Sequence, residues 1–352
     1  MKVQRDPRVF ASDEAGVRMT RQLHGPVLLS VVVPCFNEEH ALRSTQARLS
    51  STLAQLRADF EIIYVDDGST DATPEVLREL QAGDSHIRVV RFSRNFGHQM
   101  AITAGLEHGA GDAVVIIDAD LQDPPETILT FFSKWQEGYD VVHGVRTERE
   151  GETAFKLWTA RLFYRFMKNL SDIPIALDAG DFRLIDRGVL NALLSMPERD
   201  RFVRGMVSWL GFSQVTVPYR RGPRVAGATK FSFFKMLRFA MDGIFSFSIL
   251  PLRVATCTGF ITSFLAILGI VLVSLEHFLG VEGLVRGWTS TMFAVLFIGG
   301  VQLICMGIIG EYIGRIYGES KHRPLYVVKE MLGFKGDKRV TNPSSLFIAG
   351  KH

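Results

Sequence analysis

The chain has 352 residues, 47% of them hydrophobic, and a formal net charge of +3. That length accommodates one large domain or two small ones, and so mild a basic excess argues against nucleic acid as a partner while suiting an anionic membrane surface. Three cysteines, Cys35, Cys257 and Cys305, are odd in number and lack metal-like spacing, which points away from a disulfide framework and toward a reducing compartment.

Residues 1–26 have no apolar core of the kind a secretory signal needs and read as a flexible leader. From there short runs rich in Val and Ile alternate with helix-like stretches. The runs are "LLSVVVPCF", "FEIIYVDD", "IRVVRFS", "AVVIIDAD" and "DVVHGV"; between them lie segments such as "EEHALRSTQARLSSTLAQL" and "TPEVLRELQAG". This rhythm predicts an α/β domain over 27–225 with a mainly parallel sheet. The strands are continuously apolar, so both faces of that sheet should be covered.

Three predicted strands end in polar or acidic clusters. "VVVP" leads to Asn37, Glu38 and Glu39; "IIYV" leads to Asp66 and Asp67; "VVII" leads to Asp118, Asp120, Gln122 and Asp123. One such end could be a helix cap, as Asp71 and Thr73 are expected to be. Three along one edge place several carboxylates beyond the carboxyl ends of the strands, where ligands bind in such sheets. Their repulsion calls for a counter-charge.

"DRFVRG" sets Arg201 and Arg204 three residues apart, and "RRGPRVAGATKFS" supplies Arg220, Arg221, Arg224 and Lys230 among glycines. Such a basic loop suits a phosphate at a membrane surface. Arg204 and Lys230 are the leading candidates for specific phosphate contacts, with Arg201 and Arg224 beside them. Two stretches, 155–170 and 230–247, carry large apolar residues at helical spacing beside Lys and Arg, a pattern of helices lying in the membrane interface or facing a core, the interface being favoured for the second. The second belongs to a predicted interfacial region over 226–250.

Residues 254–275 and 287–310 are free of Asp, Glu, Lys and Arg. Each exceeds the roughly 20 residues a helix needs to cross about 30 Å of hydrocarbon, so 251–313 is predicted to be a two-helix transmembrane hairpin. Lys235, Arg238 and Arg253 precede it and Arg315, Lys321, Arg323 and Lys329 follow it, against Arg286 alone in the connector. That bias puts both termini and the α/β domain in the cytoplasm. Residues 314–352 are left as a cytoplasmic C-terminal tail.

The chemistry is narrowed by what the sequence lacks. It has no G-x-x-x-x-G-K-[ST], and "GLEHGAG" does not match G-x-G-x-x-G. Hard oxygen ligands such as Asp118, Asp120 and the Gln122 amide suit Mg²⁺ or Mn²⁺, and Asp66 and Asp67 could accept from ribose hydroxyls or a base N–H.

"VVVPCFNEE", "YVDDGSTDAT", "RNFGHQMAITAGLEHGAGDAVVIIDADLQDPPE", "DAGDFRLIDR", "RFVRGM" and "GATKFSFFKM" resemble, in this order, glycosyltransferase family 2. Within it they are similar to the polyprenyl-phosphate glycosyltransferases of the dolichol-phosphate-mannose synthase type, nearest the bactoprenol glucosyltransferases and undecaprenyl-phosphate aminoarabinose transferases. The resemblance implies a GT-A fold and a nucleotide-sugar donor, most simply a UDP-hexose, delivering one sugar to a polyprenyl phosphate with inversion. It implies a metal at Asp118 and Asp120 with Gln122 nearby, nucleotide contacts from Pro34, Asn37, Glu38, Asp66, Asp67 and Asp118, and an active-site aspartate at Asp181; Asp181 and Asp120 are the expected catalytic residues. A homo-oligomer, a tetramer by resemblance, is further implied; two spans without intramembrane charges make an autonomous transport path improbable, so a separate lipid-sugar flippase is the expected transport partner. No Q-x-x-R-W follows, so processive synthesis is not expected. A GDP-mannose donor and a non-catalytic nucleotide-sugar-binding scaffold are the alternatives.

Overall fold

The computed structural model describes residues 21, 25–147, 179–199, 201–220, 222, 250–279 and 288–334. The described residues up to 222, together with those from Arg323 onward, form one compact unit; those from 250 to His322 form a second.

The first unit is built on one sheet. Its strands are β1 (Leu28–Cys35), β2 (Asp59–Asp66), β3 (Ile87–Phe92), β4 (Ala113–Ile116), β5 (Val141–Arg146), β6 (Ala179–Asp186), β7 (Gln214–Tyr219) and β8 (Val328–Leu332). Their order across the sheet is β7-β5-β6-β4-β1-β2-β3-β8. β1 lies parallel to both β2 and β4. The chain winds one way from β1 through β2 to β3 and then returns to β4 on the other side. That reversal opens a crevice beyond the carboxyl ends of β1 and β4.

Both faces of the sheet are covered, as the unbroken apolar strands predict. On one face Val31 and Val33 of β1 pack with Leu42, Leu49 and Leu53 of α1 (Leu42–Leu53), Leu77 of α2 (Thr73–Gly83), and Phe131 and Trp135 of α4 (Thr127–Gln136). On the other, Val32 packs with Ile102 and Leu106 of α3 (His98–His108), Val189 and Leu190 of α5 (Arg187–Ser195), and Met206 of α6 (Val203–Trp209). Successive residues of one strand feed opposite layers because the side-chain period of a strand is two. α3 sits so close to β1 that a Cβ on Gly105 would come within 2.1 Å of Val32 Cγ1.

Two strands run against the parallel majority. β6 inserts antiparallel between β4 and β5, and β8 lies antiparallel along β3. β8 corrects the reading of residues 314–352 as a tail: Val328–Leu332 closes the edge of the first unit's sheet. Five residues with one buried position make a weak strand signal, so the pairing is set by tertiary contacts. Tyr326 stacks on Phe92 with ring centroids 4.7 Å apart and donates its hydroxyl to Glu107, while Glu330 pairs with Arg78 at 2.9 Å. The leader is likewise anchored at Arg21, whose guanidinium bonds Asp140 and Asp186 and lies 5.0 Å from the centroid of the Trp135 ring.

The second unit holds two long apolar helices, α7 (Leu250–Phe278) and α8 (Trp288–Ser320). They pack against each other, with Cys305 Sγ 3.6 Å from the Ala255 carbonyl oxygen. Pro251–Gly269 and Phe297–Ser320 are long and apolar enough to cross a membrane, and only 6% and 0% of these windows are buried. A soluble core helix would be largely buried. α8 continues ten residues beyond the predicted end of the second span at 310, and carries Glu311 and Arg315 as an i,i+4 pair at 3.2 Å on the extension. The predicted amphipathic stretches at 155–170 and 230–247 lie outside the described residues, as do Arg224 and Lys230.

Candidate active site

β4 ends at Ile116, opposite Arg183 of β6. Asp118 lies two residues beyond Ile116, and Asp181 two residues before Arg183 in β6. The reversed direction of β6 thus brings its opening residues to the crevice where the parallel strands end.

Asp181 gathers the basic groups. His98 Nε2 is 3.3 Å from its Oδ2, and Arg183 Nη2 and Arg204 Nη2 are each 3.5 Å from its Oδ1. Gln99 Nε2 donates to Oδ2 at 3.4 Å. Burial works against the Asp181 charge, but the His98 hydrogen bond and the two arginines outweigh it and hold the carboxyl well below the usual range. Arg183 is wholly buried, and burial lowers its guanidinium to about 10 despite Asp181.

Asp118 takes the opposite shift. Burial pushes it up to about 6; His98, 3.7 Å away, opposes the rise, and Asp123, Asp181 and Asp120 add to it. His98 therefore stands between two carboxylates. Burial disfavours its cation, yet the hydrogen bond to Asp181 and the charges of Asp118, Asp181 and Asp67 raise its pKa overall. Neither His98 nor Gln99 was marked by the strand-end pattern, because both lie in the first turn of a helix.

The acidic loop is itself constrained. Asp120 Oδ1 accepts the Gln122 N–H at 3.1 Å, and Leu121 between them sits at φ 57°, a left-handed conformation unusual for a branched side chain. The buried Asp123 accepts the Tyr219 hydroxyl at 2.6 Å, while Tyr219 also takes a hydrogen bond from Arg146 Nε at 3.2 Å. Gly222 N–H donates to the Gln122 carbonyl at 2.8 Å.

The donor set can be tested against the divalent cation that the sequence implies. Among the described residues no three His, Cys, Asp or Glu side chains form a ready cage. Mg²⁺ sites of this kind need only one or two carboxylates plus substrate phosphates, and Asp118 and Asp120 supply those. Gln122 Oε1 is buried without a hydrogen-bond partner, which suits an oxygen ligand. The residues fit.

The remaining predicted contacts are spread more widely. Pro34 lies buried in β1 opposite Val65. Asn37, at φ 57°, accepts the Thr70 N–H at 2.9 Å. Glu38 gives its backbone N–H to Thr73 Oγ1 at 2.8 Å. Asp66 is 0% exposed; it accepts the Ser69 N–H at 2.9 Å and lies 3.2 Å from Arg91 Nε. Its carboxylate is enclosed at the end of β2 beside Asp67. Asp67 clamps the loop before α3, accepting the N–H groups of Phe96 at 2.7 Å and Gly97 at 3.0 Å. Arg201 does not join Arg204. Its guanidinium donates to the carbonyls of Glu198 at 3.1 Å and Met196 at 2.9 Å, so it braces the loop between α5 and α6.

A family model described as glycosyl transferase family 2 matches residues 30–194, and one described as GtrB C-terminal hairpin matches residues 250–316. The uncharacterized glycosyltransferase YkcC of Bacillus subtilis (strain 168) is 47% identical over 309 residues, covering 88% of this chain and 95% of that protein. The bactoprenol glucosyl transferase of Shigella phage SfV is 42% identical over 302 residues, covering 86% and 98% respectively. A crystal structure of glucosyl-3-phosphoglycerate synthase from Mycobacterium tuberculosis with Mn²⁺, UDP-glucose and phosphoglyceric acid overlays with a TM-score of 0.40 at 21% identity, covering 61% of this chain and 76% of that one. That likeness is too loose to argue from.

Proposed function

The chain belongs to glycosyltransferase family 2, and on that premise we propose that it transfers one sugar from a nucleotide-sugar, a UDP-hexose, to the phosphate of a membrane polyprenyl lipid. The observation that carries the proposal is the meeting of Asp118, Asp181, His98 and Arg204 in a chain that also has two membrane-length helices. Names of relatives such as the bactoprenol glucosyl transferase of Shigella phage SfV support the acceptor class.

In this reading the acceptor phosphate oxygen attacks the anomeric carbon, the bond to the diphosphate breaks, and the centre inverts. The second pKa of a phosphate monoester lies near 6, so that oxygen is already largely anionic near neutrality and no strong base is needed. Asp181, held ionised by His98 and two arginines, orients donor or acceptor rather than removing a proton. Arg204 has a buried Nε without a partner, which suits an acceptor phosphate oxygen. Asp118, Asp120 and Gln122 would hold Mg²⁺ or Mn²⁺, whose charge would offset that of the diphosphate leaving group.

The hairpin would anchor the enzyme in the cytoplasmic membrane with both termini on the cytoplasmic side. Supporting this, the chain before α7 and the β8 strand after α8 belong to one folded unit. The test is transfer of label to undecaprenyl phosphate from a panel of UDP- and GDP-sugars, with Mg²⁺, Mn²⁺ or chelator. One donor should give a metal-dependent, lipid-soluble product. Nucleotide binding without transfer from any donor overturns the proposal.

A further inference from the structure

Gln99 is the second residue of α3, and its carboxamide reaches two different elements. Nε2 donates to Asp181 Oδ2 of β6 at 3.4 Å, and Oε1 accepts the N–H of Val203 at 3.1 Å. The amide orientation is fixed by chemistry: Val203 N–H can only donate, so the oxygen must face it and the NH₂ faces the carboxylate. Val203 opens α6, and the preceding residue, Phe202, supplies no capping side chain. Gln99 therefore satisfies from another helix a donor that α6 leaves open. The next residue is Arg204, whose Nη2 is 3.5 Å from Asp181 Oδ1. Both members of the Asp181–Arg204 pair are thus referred to one side chain. That side chain has a firm base, because Asp67 holds the N–H groups of Phe96 and Gly97 immediately before α3.

We propose that Gln99 is a positioning residue for the transfer reaction, holding Asp181 and the start of α6 in register so that the carboxylate keeps Arg204 aimed at the acceptor phosphate. This rests on the polyprenyl-phosphate acceptor of the preceding subsection. Gln99 acts through Asp181 and Arg204, so its loss should fall first on the acceptor phosphate.

The test uses full-length protein in detergent micelles, with Gln99→Leu and Gln99→Glu. Gln99→Leu removes both contacts. Amide exchange across residues 199–209 should quicken about tenfold, the size expected for losing one helix cap. KM for undecaprenyl phosphate should rise about tenfold and kcat should fall, with donor KM within twofold of wild type. Gln99→Glu keeps an acceptor for Val203 N–H, so exchange should stay near wild type. It turns a carboxylate on Asp181, and kcat should still fall. Unchanged kinetics in either variant, or unchanged exchange in Gln99→Leu, overturns the proposal. So does faster exchange throughout β1 and β4 with donor and acceptor KM rising in step, because that pattern marks plain loss of structure. Wild-type protein that transfers nothing to undecaprenyl phosphate defeats the acceptor reading instead; exchange at residues 199–209 and donor hydrolysis in the two variants then decide the role of Gln99.

Discussion

His98 and Asp181 meet at 3.3 Å between Nε2 and Oδ2, joining the first turn of α3 to the opening of β6. Arg183, Arg204 and Gln99 approach the same Asp181 carboxylate. A carboxylate so held is a poor proton acceptor and a good fixed point.

Asp181→Asn should therefore lower kcat by about 10²-fold, the scale of lost positioning, and the variant should not regain the wild-type rate as the pH rises from 6 to 9. Since the pKa of Asp181 is depressed, it is ionised throughout that window, and raising the pH has no further proton to remove. Rate against pH for wild type and variant checks this. Recovery of the variant to the wild-type rate at high pH would falsify the orienting role.

His143 predicts a pH dependence of stability. It is wholly buried and its pKa is lowered to about 3, first by burial and then by Arg183, while a hydrogen bond to Gln214 opposes the shift. Protonation thus favours the unfolded chain as soon as the pH falls below the ordinary value of 6.5. Stability is fully present above pH 6.5 and declines from there toward pH 3, by up to about 5 kcal/mol for this one group. His143→Gln should flatten the dependence of the apparent Tm between pH 6.5 and 5. An equal slope in wild type and variant would assign the effect to other groups.

Much of this was legible in the sequence, and the exceptions share a cause. β1, β2 and β4 announce themselves as buried apolar runs, and the polar residues after them fall at the crevice because parallel strands all end on one side. Asp181 was reached through motif resemblance alone, since its strand runs the other way and carries it at the start. His98 and Gln99 lie on a helix whose apolar face dominates its pattern. Arg201 and Arg204 look equivalent in "RFVRG"; only the path of the chain shows that one faces backbone carbonyls and the other Asp181. β8 is too short and too exposed to stand out from its surroundings.

Metal dependence should follow the Asp118–Asp120–Gln122 loop. Asp120→Asn should cut Mg²⁺-supported transfer by more than the roughly 10- to 100-fold that loss of a supporting outer-shell group brings. Gln122→Leu should raise the Mg²⁺ concentration for half-maximal rate with less effect at saturation, because it removes one neutral oxygen. Rate against metal concentration in chelator-stripped protein gives both numbers. Wild-type metal response in Asp120→Asn would remove the acidic loop from the metal site.

The C-terminal strand should matter for the first unit's stability although it follows the membrane helices in sequence. Tyr326→Ala removes the stack on Phe92 and the hydrogen bond to Glu107, a loss of about 2 kcal/mol for a half-buried aromatic. Tyr326→Phe keeps the stack and should lose about 1 kcal/mol. Amide exchange along β3 is the measurement, because β8 covers that edge; exchange there should rise in the order wild type, Phe, Ala.

Gly105 tests the closeness of α3 to the sheet. A Cβ there would lie 2.1 Å from Val32 Cγ1, far inside contact distance, while Ala would otherwise be the better helix former by about 1 kcal/mol. The clash should win, with Gly105→Ala destabilising by about 1–3 kcal/mol. Val32→Ala removes the obstructing methyls and leaves a small cavity of its own. The double variant should therefore be more stable than the sum of the two single losses predicts, a coupling that thermal unfolding of all four proteins would measure. Simple additivity would mean that α3 can shift away from β1. In that case His98 and Gln99, both in the first turn of the same helix, should move with it, and transfer activity should fall along with stability.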